Sequence, residues 1–220
     1  MQNPYLPLSD SKNYEYGYKL AYQFAGERLA KIGDIEQQCR QTGASLQVID
    51  SKRVVVVKYL DRSYLITLSD VGISLRDSGE KVPLRDKILI LHYFTLAKGI
   101  PATDKLITYK ELPEGFTYFS TFAKRAIKPL VDYFGSEPHR LLDAAAPLGG
   151  RRADYGDVAV TINAFSRVSI ILMLWQGDAE LAPEGNILFD TNISDYLPTE
   201  DITVLCEIIA WKMVKYLRRA

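Results

Sequence analysis

The sequence predicts a single α+β domain over residues 1–220, with a mainly antiparallel sheet packed against helices. Three observations predict it. Apolar residues recur at helical spacing over 18–32, 84–96, 116–134 and 199–217. β-Branched or alternating runs come in neighbouring pairs, 54–57 with 64–68 and 158–164 with 168–175, each pair divided by a short polar turn. Helices and strands do not alternate strictly, as a doubly wound parallel sheet would require.

The first stripe, Tyr18, Ala21, Tyr22, Ala25, Leu29 and Ile32, stays on one helix face and stops at Gly33. Asp34 then caps a short helix over 35–42, which Gly43 ends because a helix C-terminus favours a residue free to adopt positive φ. Val54 to Val57 and Tyr64 to Leu68 form a hairpin across Asp61-Arg62, and Val71, Ile73 and Leu75 extend it by alternation. Leu84, Ile88, Leu91 and Thr95 mark a broad apolar helix that carries His92, one of two histidines, and stops at Gly99 before Pro101. Within the 116–134 stripe, Pro129 lacks an N–H and its ring crowds the preceding turn, so a kink or break is expected near Lys128. Pro138 suits the first position of a short helix reaching Ala146. Asp157 to Ala164 alternates as a half-buried strand, Val168 to Trp175 is nearly all apolar as in a central strand, and the two turn at Ser166-Arg167. Thr199 is the expected cap of a last helix over 199–217, with Glu200 and Asp201 near the positive end of its dipole. That helix is apolar on most sides, so it either runs through the core or pairs with a second chain as a homodimer contact.

Composition narrows the function classes. Twenty-seven basic residues balance 27 acidic ones, so no long-range field draws the chain to nucleic acid or an anionic membrane, and neither is expected as a partner. The two cysteines, Cys39 and Cys206, are too few to hold an iron–sulfur cluster or a cysteine-ligated zinc alone, and they fit a reducing, cytoplasmic compartment. No apolar run approaches the roughly 18 residues a membrane helix needs. No nucleotide P-loop and no Gly-x-Gly-x-x-Gly turn is present.

Four constellations can carry chemistry. Leu148-Gly149-Gly150-Arg151-Arg152 offers glycine N–H groups and two arginine forks to an anion, although a solvated turn is the commoner use. His92, between Ile88 and Leu96 one turn away on either side, could present a neutral imidazole to a metal or instead be a hydrogen-bonded core histidine. Asp178 and Glu180 in Trp-Gln-Gly-Asp-Ala-Glu, with Asp190 in Leu-Phe-Asp, could share a divalent ion or divide acid and base roles. Their spacing matches no metal motif, and Asp178 also suits a turn. Finally, the 14 tyrosines include Tyr118 and Tyr155 near element ends, where an aromatic ring with a polar tip suits a ligand pocket or an interface.

These stretches together resemble the uncharacterised family called domain of unknown function 3786. The resemblance rests on Asn3-Pro4-Tyr5, Leu89-Ile90-Leu91-His92-Tyr93 with Gly99-Ile100-Pro101, and Glu111-Leu112-Pro113-Glu114-Gly115 leading to Tyr118 and Arg125. It continues through Trp175 to Leu181, Leu188-Phe189-Asp190 and Tyr196-Leu197-Pro198-Thr199-Glu200-Asp201. The resemblance implies an anaerobe's protein linked to redox or corrinoid metabolism, since relatives are fused to cysteine-rich iron–sulfur domains; this chain lacks those cysteines. The expectation is therefore a non-catalytic domain binding a small molecule or a redox partner protein. His92, Tyr118, Arg125 and Trp175 are expected to line the pocket, and a tetrapyrrole such as haem or a corrinoid is the expected ligand class. The rival is a metal-assisted or acid/base enzyme built on Asp178, Glu180 and Asp190.

Overall fold

The computed structural model describes residues 11–178 and 180–218, with side chains described from residue 16 onward; Asn3-Pro4-Tyr5 lies outside the described residues. An opening helical hairpin, α1 (Ser11–Ala30) and α2 (Ile35–Thr42), is followed by four strands, β1 (Ser45–Ile49), β2 (Lys52–Tyr59), β3 (Arg62–Thr67) and β4 (Ile73–Leu75). Then come α3 (Leu84–Leu96), β5 (Leu106–Thr108), α4 (Gly115–Phe122), α5 (Lys128–Phe134) and α6 (Arg140–Ala145). Strands β6 (Arg151–Ala153), β7 (Val158–Phe165), β8 (Val168–Trp175) and β9 (Glu184–Asp190) precede the closing helix α7 (Thr199–Leu217).

The strands form one sheet in the order β4-β3-β2-β7-β8-β9-β5, with β1 beside β2 and β6 beside β7. Every pair is antiparallel, as the sequence predicts. The first meander, β1 to β4, joins the second at one ladder position, Tyr59 opposite Phe165, where the Leu60 N–H also donates to the Ala164 carbonyl at 3.0 Å. A stack of rings closes that seam: Phe165 lies 4.8 Å from Tyr59 and 4.1 Å from Tyr93 of α3, centroid to centroid. Each such pair contributes about 0.5–1.5 kcal/mol beyond its burial.

Alternation decides which face each strand buries. Val55, Val57 and Tyr59, then Val160, Ile162 and Ala164, then Ile170, Leu172 and Leu174 point into the main core with the helices. The opposite face carries only a small cluster of Ala159, Ile171 and Met173, so the helices cover one side of the sheet. Strand β8, apolar but for the exposed Ser169, buries residues on both faces: Ile170, Leu172 and Leu174 in the main core, Ile171 and Met173 in the small cluster opposite.

Helix α7 runs through the core: Ile202, Leu205, Ile209 and Met213 are fully buried, and Glu200 and Lys215 are its exposed residues. Its start differs from expectation. Pro198 holds the N-cap position, and the Thr199 hydroxyl instead donates to the Pro113 carbonyl at 2.8 Å, tying the Glu-Leu-Pro-Glu-Gly segment to the helix. Gly115 ends that segment where a Cβ would overlap the Tyr109 carbonyl oxygen.

Pro129 does not break its helix. Residues Ala123–Ile127 form a π-helical stretch between α4 and α5, and the Lys128 N–H bonds the Ala123 carbonyl five residues back. In an α-helix the proline ring would press on the Arg125 carbonyl; the wider turn removes that clash, so helical hydrogen bonding continues from α4 into α5. Strands β1, β5, β6 and β9 are absent from the sequence prediction.

Candidate functional site

Helix α3 turns Arg85, Ile88, Leu89 and His92 toward one side, the spacing that places residues on a single helical face. Opposite them α7 presents Glu200, Asp201 and Val204, and α1 presents Gly17, Tyr18 and Ala21. The three helices enclose an open groove of about 460 Å³, within the ~300–1,000 Å³ range of small-molecule sites. Its floor is mostly apolar.

At its polar end, His92 Nδ1 lies 2.7 Å from Asp201 Oδ2. Both side chains are largely buried, 20% and 11% exposed. A carboxylate can only accept, so this bond puts the hydrogen on Nδ1 and leaves Nε2 of the neutral ring as an acceptor or metal ligand. Asp201 belongs to the first turn of α7, where the helix dipole favours a negative charge. The pair therefore fixes both the ring's orientation and the nitrogen it offers, which is what an outer carboxylate does for a ligating histidine.

Behind the groove, Glu207 of α7 holds two guanidinium groups through one oxygen. Arg85 reaches its Oε2 at 2.6 Å, and Arg125 reaches the same atom through Nε at 3.0 Å and an Nη at 2.5 Å. Arg125 sits in the π-helical stretch, so the wide turn forced by Pro129 also carries the residue that braces Arg85. A second buried carboxylate lies nearby in sequence but faces the sheet: Asp86 is 4.0 Å from Lys212 Nζ. Desolvation pushes the Asp86 carboxyl up, partly opposed by Lys212 and by the Tyr59 hydroxyl. That hydroxyl is fully buried without a hydrogen bond in good geometry, and burial together with Asp86 raises it well above the usual phenol range.

Of the expected ligand-binding residues, His92 lines the groove and Arg125 stands one partner away through Glu207. Tyr118 on α4 and Trp175 at the end of β8 are 52% and 38% exposed and lie outside it. The acidic residues do not come together. Asp178 and Glu180 follow β8, whereas Asp190 ends β9, about 20 Å further along an extended strand.

Each has a structural task. Asp178 Oδ1 accepts from the backbone N–H groups of Glu180 and Leu181, both at 2.8 Å, and these bonds hold its carboxyl below the usual range. Asp190 gathers the loop after α3: its oxygens accept from Thr103 N, Thr103 Oγ1, Asp104 N and Asn192 N at 2.8–2.9 Å. Partial burial pushes this carboxyl up, yet the hydrogen bonds together outweigh burial and hold it low. Asn192 and Tyr196 complete the clamp by donating to the carbonyls of Ile100 and Pro101. The Gly-Ile-Pro, Leu-Phe-Asp and Tyr-Leu-Pro segments thus meet at one corner of the fold. Of the glycine–arginine stretch, Gly149 and Gly150 close a helix end against Asp61 and Ala145, and Arg151 and Arg152 enter β6. Among the described residues, no group of three or more His, Cys, Asp and Glu side chains gathers as a metal site.

Sequence reasoning missed Asp201 as the partner of His92, and missed Arg85, Glu207 and the α1 wall. The spacing of Arg85, Ile88, Leu89 and His92 was a legible signal for one face; the pairing across 109 residues was not.

No helix among the described residues is long and apolar enough to cross a membrane. No curated protein and no solved structure matches the chain significantly. The family model for the domain of unknown function DUF3786 matches residues 34–212, a span that contains α3, α7 and the His92–Asp201 pair and leaves α1 outside it. The chain belongs to the DUF3786 family.

Proposed function

We propose that this protein is a non-catalytic binding domain whose site is the groove between α1, α3 and α7. The observation that carries this reading is the imidazole of His92, bonded through Nδ1 to Asp201 in a groove that also presents Ala21, Ile88, Leu89 and Val204. Such a site suits a flat apolar molecule with a metal centre, and the tetrapyrrole class is the version we put forward. Ile88, Leu89, Val204 and Ala21 would meet the macrocycle, and His92 would be the residue to hold its metal. An accessory role in cofactor handling in the cytoplasm accords with two free thiols, Cys39 and Cys206, both buried. Burial pushes both thiols up, which favours inert packing over redox chemistry. Any electron transfer to the bound group would then come from a partner protein.

The test is an anaerobic absorption titration of the full chain with haemin and with cobinamide. The expected result is a saturable band shift that His92→Ala abolishes and Asp201→Asn weakens about 10–100-fold, the usual cost of losing a carboxylate behind a ligating histidine. Spectra that do not change with either compound, or that change equally in His92→Ala, would overturn the reading.

A further inference from the structure

Two polar contacts tie α3 to α7, one near each end of the groove. His92 meets Asp201, and Arg85 meets Glu207. The earlier residue of α3 pairs with the later residue of α7, so the two helices run antiparallel here. The contacts lie about two turns apart, roughly 10 Å along each axis. Between them Ile88, Leu89 and Val204 supply the apolar stretch of the groove. A single flat molecule lying along the groove therefore meets His92 and Arg85 at once.

The two ends differ in charge. At the His92 end, the carboxylates of Glu200 and Asp201 accompany one imidazole. At the other end two guanidinium groups share one carboxylate, and a single negative charge offsets only one of them. Arg125 grips Glu207 Oε2 with both Nε and an Nη, whereas Arg85 reaches that atom with one Nη. Glu207 therefore keeps a two-pronged partner in Arg125 when Arg85 turns a donor elsewhere. Asp86, next to Arg85 in sequence, is matched by Lys212 on the sheet side. Glu207 stands behind the groove and Arg85 lines it, 21% exposed, so the positive charge is presented to a ligand through Arg85. Its planar fork of five donors suits a carboxylate.

We propose that Arg85 is the receptor for an acidic arm of the ligand, an inference that rests on the groove binding a tetrapyrrole. The groove then selects macrocycles that carry a free carboxylate on their rim over those whose arms are amidated or esterified. Arg125 is the positioning residue: it holds Glu207 back, and Glu207 in turn holds the Arg85 fork at the groove wall.

Equilibrium absorption titrations of the full chain with haemin and with haemin dimethyl ester test this, because the ester keeps the ring and the metal and loses both carboxylates. The wild type should bind haemin about tenfold more tightly than the ester, the size of one charge-assisted hydrogen bond in a partly wet site. Arg85→Gln should weaken haemin about tenfold and leave the ester unchanged, and Arg85→Lys, which keeps the charge, should retain a preference for haemin. Each protein is compared with itself across the two compounds, so a loss of stability in a variant cancels from the ratio. Equal affinity of the wild type for both compounds, or a preference for haemin that survives Arg85→Gln in full, would overturn the assignment of Arg85 and leave the binding reading standing. Failure of both compounds to bind the wild type would overturn both.

Discussion

Asp190→Asn separates a structural carboxylate from a catalytic one. In the wild type its two oxygens accept four hydrogen bonds, from Thr103 N, Thr103 Oγ1, Asp104 N and Asn192 N. An asparagine keeps one acceptor oxygen and turns an NH₂ toward the remaining donors, so about two charge-assisted bonds are lost. Two such bonds are worth about 3 kcal/mol in a dry site, and the access of water to this corner reduces the expected loss to about 2 kcal/mol. For a chain of this size, that loss corresponds to a Tm lower by about 4–8 °C.

The pH dependence carries a sign. Because the folded carboxyl is held below its ordinary value, its contribution is complete above the unfolded pKa of about 4 and disappears as pH falls through the folded value. Calorimetric scans at pH 7 and pH 3 should therefore show a wide gap between the two proteins that narrows in acid. An unchanged Tm at pH 7, or a gap that widens in acid, would refute the assignment of Asp190 as the clamp on the loop after α3.

Asp86 has the opposite sign. Burial raises its carboxyl, so it stabilises the fold relative to the unfolded chain only while protonated, and that contribution falls as pH rises through the raised value. Urea midpoints at pH 3 and pH 8, on either side of the unfolded value of about 4, should show Asp86→Asn gaining on the wild type at the higher pH. Tyr93→Phe should cost about 1–3 kcal/mol in the same assay, because it strands the Thr42 carbonyl, bonded at 2.6 Å, and the Arg167 N–H, bonded at 3.2 Å.

The parts of this molecule that were legible in its sequence are those that local patterns determine. Asp34 and Gly43 frame α2 as their side chain and positive φ require, and the turn at Ser166-Arg167 falls between two strands whose alternation was plain. Strands β5 and β6 escaped because Leu106-Ile107-Thr108 and Arg151-Arg152-Ala153 show no apolar–polar alternation, β1 because Leu46 and Val48 alone do not make a run, and β9 because Glu184, Gly185 and Asn186 dilute its apolar half. At Pro129 an irregularity near Lys128 was legible, and its form, a π-helical stretch over Ala123–Ile127 whose Arg125 bonds Glu207 of α7, was not. His92 was visible as a rare residue on an apolar face. Its meaning depended on Asp201, which looked like an ordinary helix-start carboxylate until α7 was folded against α3. Tyr118 and Trp175 were singled out as aromatic residues near element ends, and exposure there reflects the surface they occupy.

The narrow seam between the two meanders also shapes how the chain assembles. Within β1 to β4, and again within β6 to β9, each strand pairs with a neighbour in sequence, so these contacts close short loops at small entropic cost. Joining Tyr59 to Phe165 spans α3 to α6 and is compensated only when Tyr93 slots against Phe165. The two meanders are therefore fast local units whose joining waits on an aromatic closure, and substitutions at Phe165 should slow folding itself, whereas those on the solvent face of β8 should mainly hasten unfolding.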